Sequence, residues 1–597
     1  MTDYRPPIRE MQFVLDHVAG LDRLAALPGG DALSPDLVGH ILEEAGKLAA
    51  GVLAPLNRVG DRNPARLDNG VVRTPPGFKE AYRQYVDGGW NAVPFPHEHG
   101  GQGLPWVIAT AVQEMWNSAN IGWALGPMLT VGAVEALITH GTDEQKRLYL
   151  PKLVSGEWMG TMNLTEPQAG SDVGALRTRA VREGNHYRIT GQKIFITYGD
   201  QDWTDNVVHL VLARLPDAPP GSRGISLFLV PKFLVRPDGT LGERNDLRVV
   251  SLEHKLGIQA TPTCVVAYGD NGGAIGTLIG AENEGLACMF TMMNNMRLDV
   301  GIQGVAMAER AYQQALAYAR QRVQSREIGG HSNASVPIIR HPDVRRMLMT
   351  MKTMTEATRA LAYQTFAVLD LATRLPAGPE RDAMAARADL LTPVVKAWST
   401  DVGCEATSLG VQVHGGMGFI EETGAAQHYR DVRITPIYEG TNGIQANDLV
   451  FRKVARGHGA AARAYLAEVR DTASELAARP GDDAAVLARA LAAGHDALAG
   501  ATDWVVASNG AEPRNAAASA VPYLRLFGIV AGGSAMARQM LAAQRALASE
   551  SGDAAFFESR VAVARFYADH VLSQAPALVH PIVAGATSVL ALDEERF

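Results

Sequence analysis

WMGTMNLTEPQAGSD, residues 158–172, marks the point where the periodicity of this chain changes. Upstream, the pattern is helical. Ser34-Pro35 offers an N-cap and a helix-compatible proline, and Leu37, Ile41, Leu42, Ala45, Leu48, Ala49 and Val52 follow on one face. Thr142 and Gln145 have the spacing of a capping box ahead of Leu148, Tyr149 and Leu150. Downstream come short β-rich runs separated by Gly, Pro, Asp and Asn: His186–Tyr198, Val207–Ala213, Ile225–Val230, Val249–Leu252 and Thr263–Tyr268. They predict a small antiparallel β domain. From Gly285 the helical period returns and runs to about Val454, with Leu298–Arg322 and Val344–Ala372 apolar on one face and Pro376–Pro379 between two helices. Long helices with short connections predict an antiparallel bundle. From about Arg456 the chain is Ala-rich and helical again (Ala484–Ala507, Ala516–Ala548, Ala555–Leu572), without lysine and slightly acidic. The predicted class is α+β multidomain: an N-terminal helical domain (1–157), a middle antiparallel β domain (158–280), a four-helix bundle (281–455) and an extra C-terminal helical domain (456–597).

At 597 residues the chain is too long for one core, and 47% hydrophobic with 20% charged residues is ordinary for a globular protein. A net charge of -8 gives nucleic-acid phosphates no overall attraction. The opening MTDYRPPIREMQFVLDHV carries charges throughout, unlike a signal or transit peptide, and no uninterrupted apolar run approaches the roughly 20 residues of a membrane span. Cys264, Cys288 and Cys404 lie far apart, without metal-ligand or CxxC spacing. These features predict a cytoplasmic enzyme with no metal, no nucleic-acid partner and no membrane span.

Four segments carry chemistry. In residues 158–172, Thr165, Ser171 and the peptide N–H groups around Gly170 offer donors in a tight turn that suits an anion or a polar ring edge. In GQKIFIT (191–197), alternation predicts Lys193, Phe195 and Thr197 on one strand face, an aromatic and a hydroxyl suited to a flat heteroaromatic cofactor. RQRVQSR (320–326) and QVHGGMG (412–418) place arginines and glycine-exposed amides at helix ends, which suits a pyrophosphate; His414 reads as a packed or surface histidine. In IYEGTNGIQ (437–445), Glu439 stands in a turn before Gly440, with Thr441 at a helix N-terminus, so its carboxylate can lie close to a ligand. Taken one at a time, each segment has an ordinary structural reading: a loop, a core Phe, a solvated helix end, a surface Glu.

Together and in order, LTEPQAGSDVGAL, GQKIFIT, RQRVQSR, QVHGGMGF and YEGTNGIQ resemble the acyl-CoA dehydrogenase family over roughly residues 35 to 455. The C-terminal extension and the opening DYRPPIREMQFVLDHV resemble one subgroup of it, the bacterial fatty acyl-CoA and 3-(methylthio)propanoyl-CoA dehydrogenases. The resemblance implies bound FAD. By it, Met162, Leu164, Thr165 and Ser171 contact the flavin and diphosphate, and Phe195 and Thr197 lie against the ring. Arg322, Gln324, Gln412, Gly415 and Gly416 reach the ADP half of a neighbouring subunit's FAD, and Thr441 stands beside the same diphosphate. Glu439 is the catalytic base; Ser171, Arg297 and Gly440 border the substrate. The chain departs from the family pattern at Phe195 (often Trp), Ser325 (often Phe), Gly443 (often Gln) and Gln168 (often Gly).

The implied reaction removes the α proton of an acyl-CoA thioester with Glu439 and passes the β hydrogen to flavin N5 as hydride, giving the trans-2-enoyl-CoA. Electron-transfer flavoprotein is the implied reoxidant. An acyl-CoA oxidase shares the first half of this chemistry. A DNA-binding alkylation-response flavoprotein would need a basic C-terminal face, which the lysine-free tail does not supply. Acyl-chain length is open: the pocket floor is expected near Gly122–Met128, where Ala124 and Gly126 leave room. The shared FAD site implies a homodimer, with the tail covering a bundle surface that shorter relatives bury by pairing dimers.

Overall fold

The structure is a computed structural model that describes residues 4–28, 30, 33–550 and 552–597. In chain order its main elements are α1 (Pro35–Leu48), α2 (Trp106–His140), α3 (Asp143–Val154), β1 (Met159–Asn163), β2 (Arg179–Glu183), β3 (His186–Thr197), β4 (Val207–Arg214), β5 (Ile225–Pro231), β6 (Leu247–Leu252), β7 (Thr263–Tyr268), β8 (Ala274–Ile279), α4 (Gly285–Gln321), α5 (Pro342–Arg374), α6 (Pro379–His414), α7 (Asn442–Asn447), α8 (Ala460–Ala477), α9 (Asp482–Ala511), α10 (Ala520–Ala548) and α11 (Ala554–His570). Two compact units emerge, one of residues 47–105 and 115–299, the other of residues 1–46, 106–114 and 300–597.

The first unit is built on an eight-stranded sheet in the order β6-β7-β3-β8-β5-β4-β1, with β2 paired to β3 and β4. β4, β5 and β7 are buried along almost their whole length, because VVHLVLA, ISLFLVP and TCVVAY are continuous apolar runs rather than alternating ones. The sheet is not wholly antiparallel as expected: β1 pairs parallel with β4, Met159 opposite Val207. β1, β2 and β8 escaped the sequence reading: MGTMN and AIGTLI are each interrupted by a glycine, and RAVRE is mostly charged. The predicted capping box forms at α3, and Gln145 Nε2 also donates to Thr277 Oγ1 (2.9 Å) and Leu278 O (3.0 Å) of β8.

The second unit is helical. Arg359 of α5, fully buried, donates to Glu114 (2.6 Å) and Glu309 (2.7 Å), while the Tyr363 hydroxyl donates to the other Glu114 oxygen (2.7 Å). Buried charges are tolerated when paired in this way, and removing one partner typically costs about 3–5 kcal/mol. The Asp370 carboxylate accepts the amides of Trp106 (2.8 Å) and Val107 (2.9 Å) at the start of α2, satisfying two donors of the first turn.

The C-terminal helices pack on the bundle within this unit. Gly528 and Gly532 of α10 face the Trp398 indole of α6. Thr353 Oγ1 donates to Val563 O (2.8 Å), and Glu356 of α5 pairs with Arg560 of α11 (2.8 Å) and with Lys352 (2.7 Å). At the other end of the chain, Phe13 packs against Phe556 and Phe557, and Arg9 pairs with Asp553 (2.7 Å). The helix expected over Ala516–Ala548 is interrupted at Ser519, which separates Pro513–Ala518 from α10.

Contrary to the sequence expectation, α2 and α10 are each long and apolar enough to cross a membrane. Their most apolar windows are 89% and 83% buried inside the protein, as in core helices.

Candidate functional site

In the sheet unit, two of the singled-out segments are stitched side by side. Ile194 N donates to Thr165 O (2.9 Å), Lys193 Nζ to Leu164 O (3.0 Å), and Thr161 Oγ1 to Thr197 O (2.8 Å). Met162, Leu164 and Thr165 therefore lie beside Phe195 and Thr197. Beneath them Glu166 and Lys193 form a buried pair (2.8 Å), and Glu166 also accepts the amides of Arg177 (2.6 Å) and Thr178 (3.0 Å). Burial alone would raise the Glu166 pKa. The Lys193 ammonium and these hydrogen bonds outweigh it and hold the carboxyl down at about 2. Burial brings Lys193 down to about 8 against the pull of Glu166, so both groups are charged at neutral pH. Glu166 and Ala169 exchange backbone hydrogen bonds (both 3.0 Å), closing a tight turn that presents Gly170 and Ser171 to solvent.

The expected single face of Lys193, Phe195 and Thr197 is not formed. The register against β7 shifts between Lys193 and Ile196, a bulge at which Phe195 takes φ +59°. Lys193 is thereby turned fully inward, while the Phe195 ring is 58% exposed. The expected room at Gly126 is also absent: a Cβ there would meet the Trp203 ring at 2.8 Å and Met159 Cε at 3.0 Å. Trp203 is buried and stacked on Trp123 (5.8 Å between centroids) and Tyr82 (5.1 Å). Arg297 is buried on α4, its guanidinium 5.9 Å from the Phe290 ring. Near it in sequence, Asn295 donates to Glu135, and burial pushes the neighbouring Asp299 carboxyl up to about 8.

In the helical unit, Glu439 and Gly440 form two successive left-handed residues (φ +55° and +83°), and Thr441 caps α7 by accepting from Ile444 N (3.3 Å). Gln445 Nε2 donates to Glu439 O (3.2 Å) and Gly440 O (3.3 Å). Lys396 of α6, fully buried, donates to Gly440 O (2.9 Å) and Asn442 Oδ1 (3.0 Å). Neither Lys396, Gln445 nor Trp203 was picked out from the sequence. The available signal for Lys396 was a lone lysine in the apolar run LLTPVVKAW.

Arg322 stands at the C-terminal end of α4, its amide donating to Tyr318 O (2.9 Å), and Gln324 lies on the exposed strand Val323–Arg326 that follows. Gln412 and the Gly415–Gly416 backbone stand at the end of α6, and the two ends are joined by Tyr318 against His414 (4.5 Å between rings). His414 is packed, as expected, with Nδ1 2.7 Å from Gly410 O. Lys396, which holds the Glu439 turn, lies 16 residues before Gln412, or about 24 Å along α6. Within one chain, the Glu439 turn and the arginine-glycine group thus sit far apart on the same helix.

Within each unit the residues present fit part of a dinucleotide flavin. An aromatic ring is held outward by a bulge, and Gly170, Gly415 and Gly416 have no atom within 4 Å of where a Cβ would lie, leaving room for a ligand beside their backbone. Arg322 adds an exposed guanidinium. Among the described residues, no group of three or more His, Cys, Asp or Glu could hold a metal ion.

Family comparisons agree along the chain. The acyl-CoA dehydrogenase N-terminal domain matches residues 42–157, the middle domain 161–270 and the C-terminal domain 283–453; an acetyl-CoA dehydrogenase C-terminal-like domain matches 465–593. The 3-methylmercaptopropionyl-CoA dehydrogenase of Ruegeria pomeroyi is 49% identical over 575 residues, covering 96% of this chain and 97% of that protein. A broad-specificity linear acyl-CoA dehydrogenase of Mycobacterium tuberculosis is 35% identical over 616 residues, covering both chains completely. The fold matches that of an acyl-CoA dehydrogenase from Bacillus anthracis complexed with FAD, with a TM-score of 0.75 at 22% identity over 96% of this chain and 92% of that one. The chain belongs to the acyl-CoA dehydrogenase family.

Proposed function

We propose that the protein is an FAD-dependent dehydrogenase of short acyl-CoA thioesters, with 3-(methylthio)propanoyl-CoA as the favoured substrate, and that Glu439 removes the α proton. The observation that carries the chemistry is the braced Glu439–Gly440 turn, a carboxylate on left-handed backbone with a glycine beside it. Phe195, Thr165, Thr197 and Ser171 would hold the flavin end, and Arg322, Gln412 and the Gly415–Gly416 backbone the ADP end of a neighbouring subunit's cofactor. Bound FAD supplies the acceptor for the β hydrogen, taken as hydride.

The chain's own residues do the rest. The α C–H of a thioester is a weak acid, so charge developing on the thioester oxygen must be stabilised as the proton leaves. The Glu439 peptide N–H is the donor for that oxygen, a contribution of a few kcal/mol in comparable sites. Substrate binding excludes water from the Glu439 carboxylate, which raises its pKa and strengthens it as a base. Trp203 and Met159 fill the space beside Gly126, where the resemblance places the pocket floor, and this favours a short acyl chain. The 49% identity to a 3-methylmercaptopropionyl-CoA dehydrogenase points the same way. The proposed setting is cytoplasmic, with electron-transfer flavoprotein as reoxidant.

The test is a panel of acyl-CoAs from butyryl to stearoyl, plus 3-(methylthio)propanoyl-CoA, with an artificial electron acceptor and a parallel peroxide assay under air. The highest kcat/KM is expected for the methylthio and four-carbon substrates. A maximum at long chains contradicts the size argument, rapid peroxide release makes the enzyme an oxidase, and no flavin reduction by any thioester removes the function altogether.

A further inference from the structure

The brace under the Glu439 turn assigns a role to a residue remote from the exposed face of the site. We infer that Lys396 is a positioning residue for the catalytic carboxylate, its ammonium fixing the Gly440 carbonyl and so the direction of Glu439; this rests on Glu439 being the base. The Lys396 side chain is fully buried at the middle of α6, and its ammonium donates to Gly440 O (2.9 Å) and Asn442 Oδ1 (3.0 Å). A buried ammonium is costly unless its hydrogens are satisfied, so a helix interior does not carry one for packing alone.

Its second acceptor is itself locked. The Asn442 Nδ2 stands within hydrogen-bond distance of Asp401 Oδ1 (2.8 Å), Thr400 Oγ1 (3.0 Å) and Ala397 O (3.1 Å), all on the same stretch of α6, so both of its hydrogens have acceptors. Thr400 Oγ1 also lies 3.3 Å from Asn442 Oδ1. The turn is thus clamped to one rigid helix by a charge-assisted bond on its carbonyl and by the side chain three residues past the base. The clamp is needed because Glu439 takes φ +55°, a region that costs a non-glycine residue roughly 1 kcal/mol or more and persists only when neighbours enforce it. Gln445 adds neutral donors to Glu439 O and Gly440 O from the other side. A free turn would sample extended backbone and swing the carboxylate away, and misplacement of a catalytic group by about 1 Å can cost up to a hundredfold in rate.

The experiment compares the full-length flavoprotein with Lys396→Met, Asn442→Ala and Glu439→Gln, reading kcat per bound flavin, KM, flavin content and the isotope effect with α-deuterated substrate. Lys396→Met is expected to lose about tenfold or more in kcat per bound flavin with KM within about threefold, and to show a larger α-deuterium effect. If that variant is insoluble, Asn442→Ala must show the same pattern at about threefold or more. Unchanged kcat per bound flavin in the soluble variant, even with lowered flavin content or stability, reduces Lys396 to scaffolding and overturns the inference while Glu439→Gln remains inactive. An active Glu439→Gln overturns the base assignment and the inference with it.

Discussion

Two glycines in the C-terminal helices should respond to the same substitution with opposite signs. Gly528 of α10 lies against Trp398 of the bundle, and a Cβ there would stand 2.4 Å from Trp398 Cγ and 2.8 Å from its Cβ. That is about 1 Å inside the 3.4 Å at which ordinary contact begins, and the atoms met belong to the fixed root of a buried indole. Overpacking of this kind costs about 1–3 kcal/mol, offset by the ~1 kcal/mol that alanine gains over glycine in a helix. Gly528→Ala should therefore lose up to about 2 kcal/mol. Gly500 of α9 has no atom within 4 Å of its would-be Cβ, so Gly500→Ala keeps the propensity gain and should stabilise by about 0.5–1 kcal/mol. Urea midpoints followed by circular dichroism, with flavin bound, should move apart in opposite directions. If Gly528→Ala gains as much as Gly500→Ala, α10 does not pack on Trp398, and the covering of the bundle by its own tail is refuted.

The tail's packing also bears on assembly: light scattering should find a homodimer, and a stable tetramer of the full-length protein contradicts the idea that the tail takes the place of a second subunit pair. Arg322→Ala should weaken FAD retention on dialysis without altering acyl-chain preference; full retention with loss on only some chain lengths would place Arg322 at the substrate instead. Asp299 is pushed up to about 8 by burial, so the folded protein keeps a proton that the unfolded chain releases near pH 4. Its contribution is fully present below pH ~4 and is lost as pH rises toward 8, by up to ~1.4 kcal/mol per pH unit, with the raised Glu135 acting in the same direction. Thermal midpoints between pH 5 and 8.5 should fall less steeply in Asp299→Asn; an unchanged slope contradicts the buried, protonated state.

The helices and main strands were legible because their signals are local. Thr142 and Gln145 cap α3 as their spacing said, Thr441 caps α7, and Val207–Arg214 and Thr263–Tyr268 form strands where their β-branched runs predicted. The parallel β1–β4 pairing was not legible, since it depends on which distant strand accepts MGTMN. Alternation also failed at Phe195, because a bulge is set by the partner strand: β7 spends one residue where β3 spends two. Of the site, Glu439, Gly440 and the donor loops were readable as chemistry. What holds them was not: Lys396, Asn442 and Glu166 act through contacts made only when segments distant in sequence meet. The same is true of Trp203, which occupies the room that Gly126 suggested from sequence.

The most direct test of the account is stopped-flow reduction of the flavin in Glu439→Gln by 3-(methylthio)propanoyl-CoA. The amide keeps the shape of the side chain and cannot take the α proton. The variant should be a folded, yellow, FAD-bound protein that binds the thioester but reduces its flavin at less than about a tenth of the wild-type rate, a barrier increase of at least ~1.4 kcal/mol. A variant that retains more than a tenth of that rate means that another residue is the base.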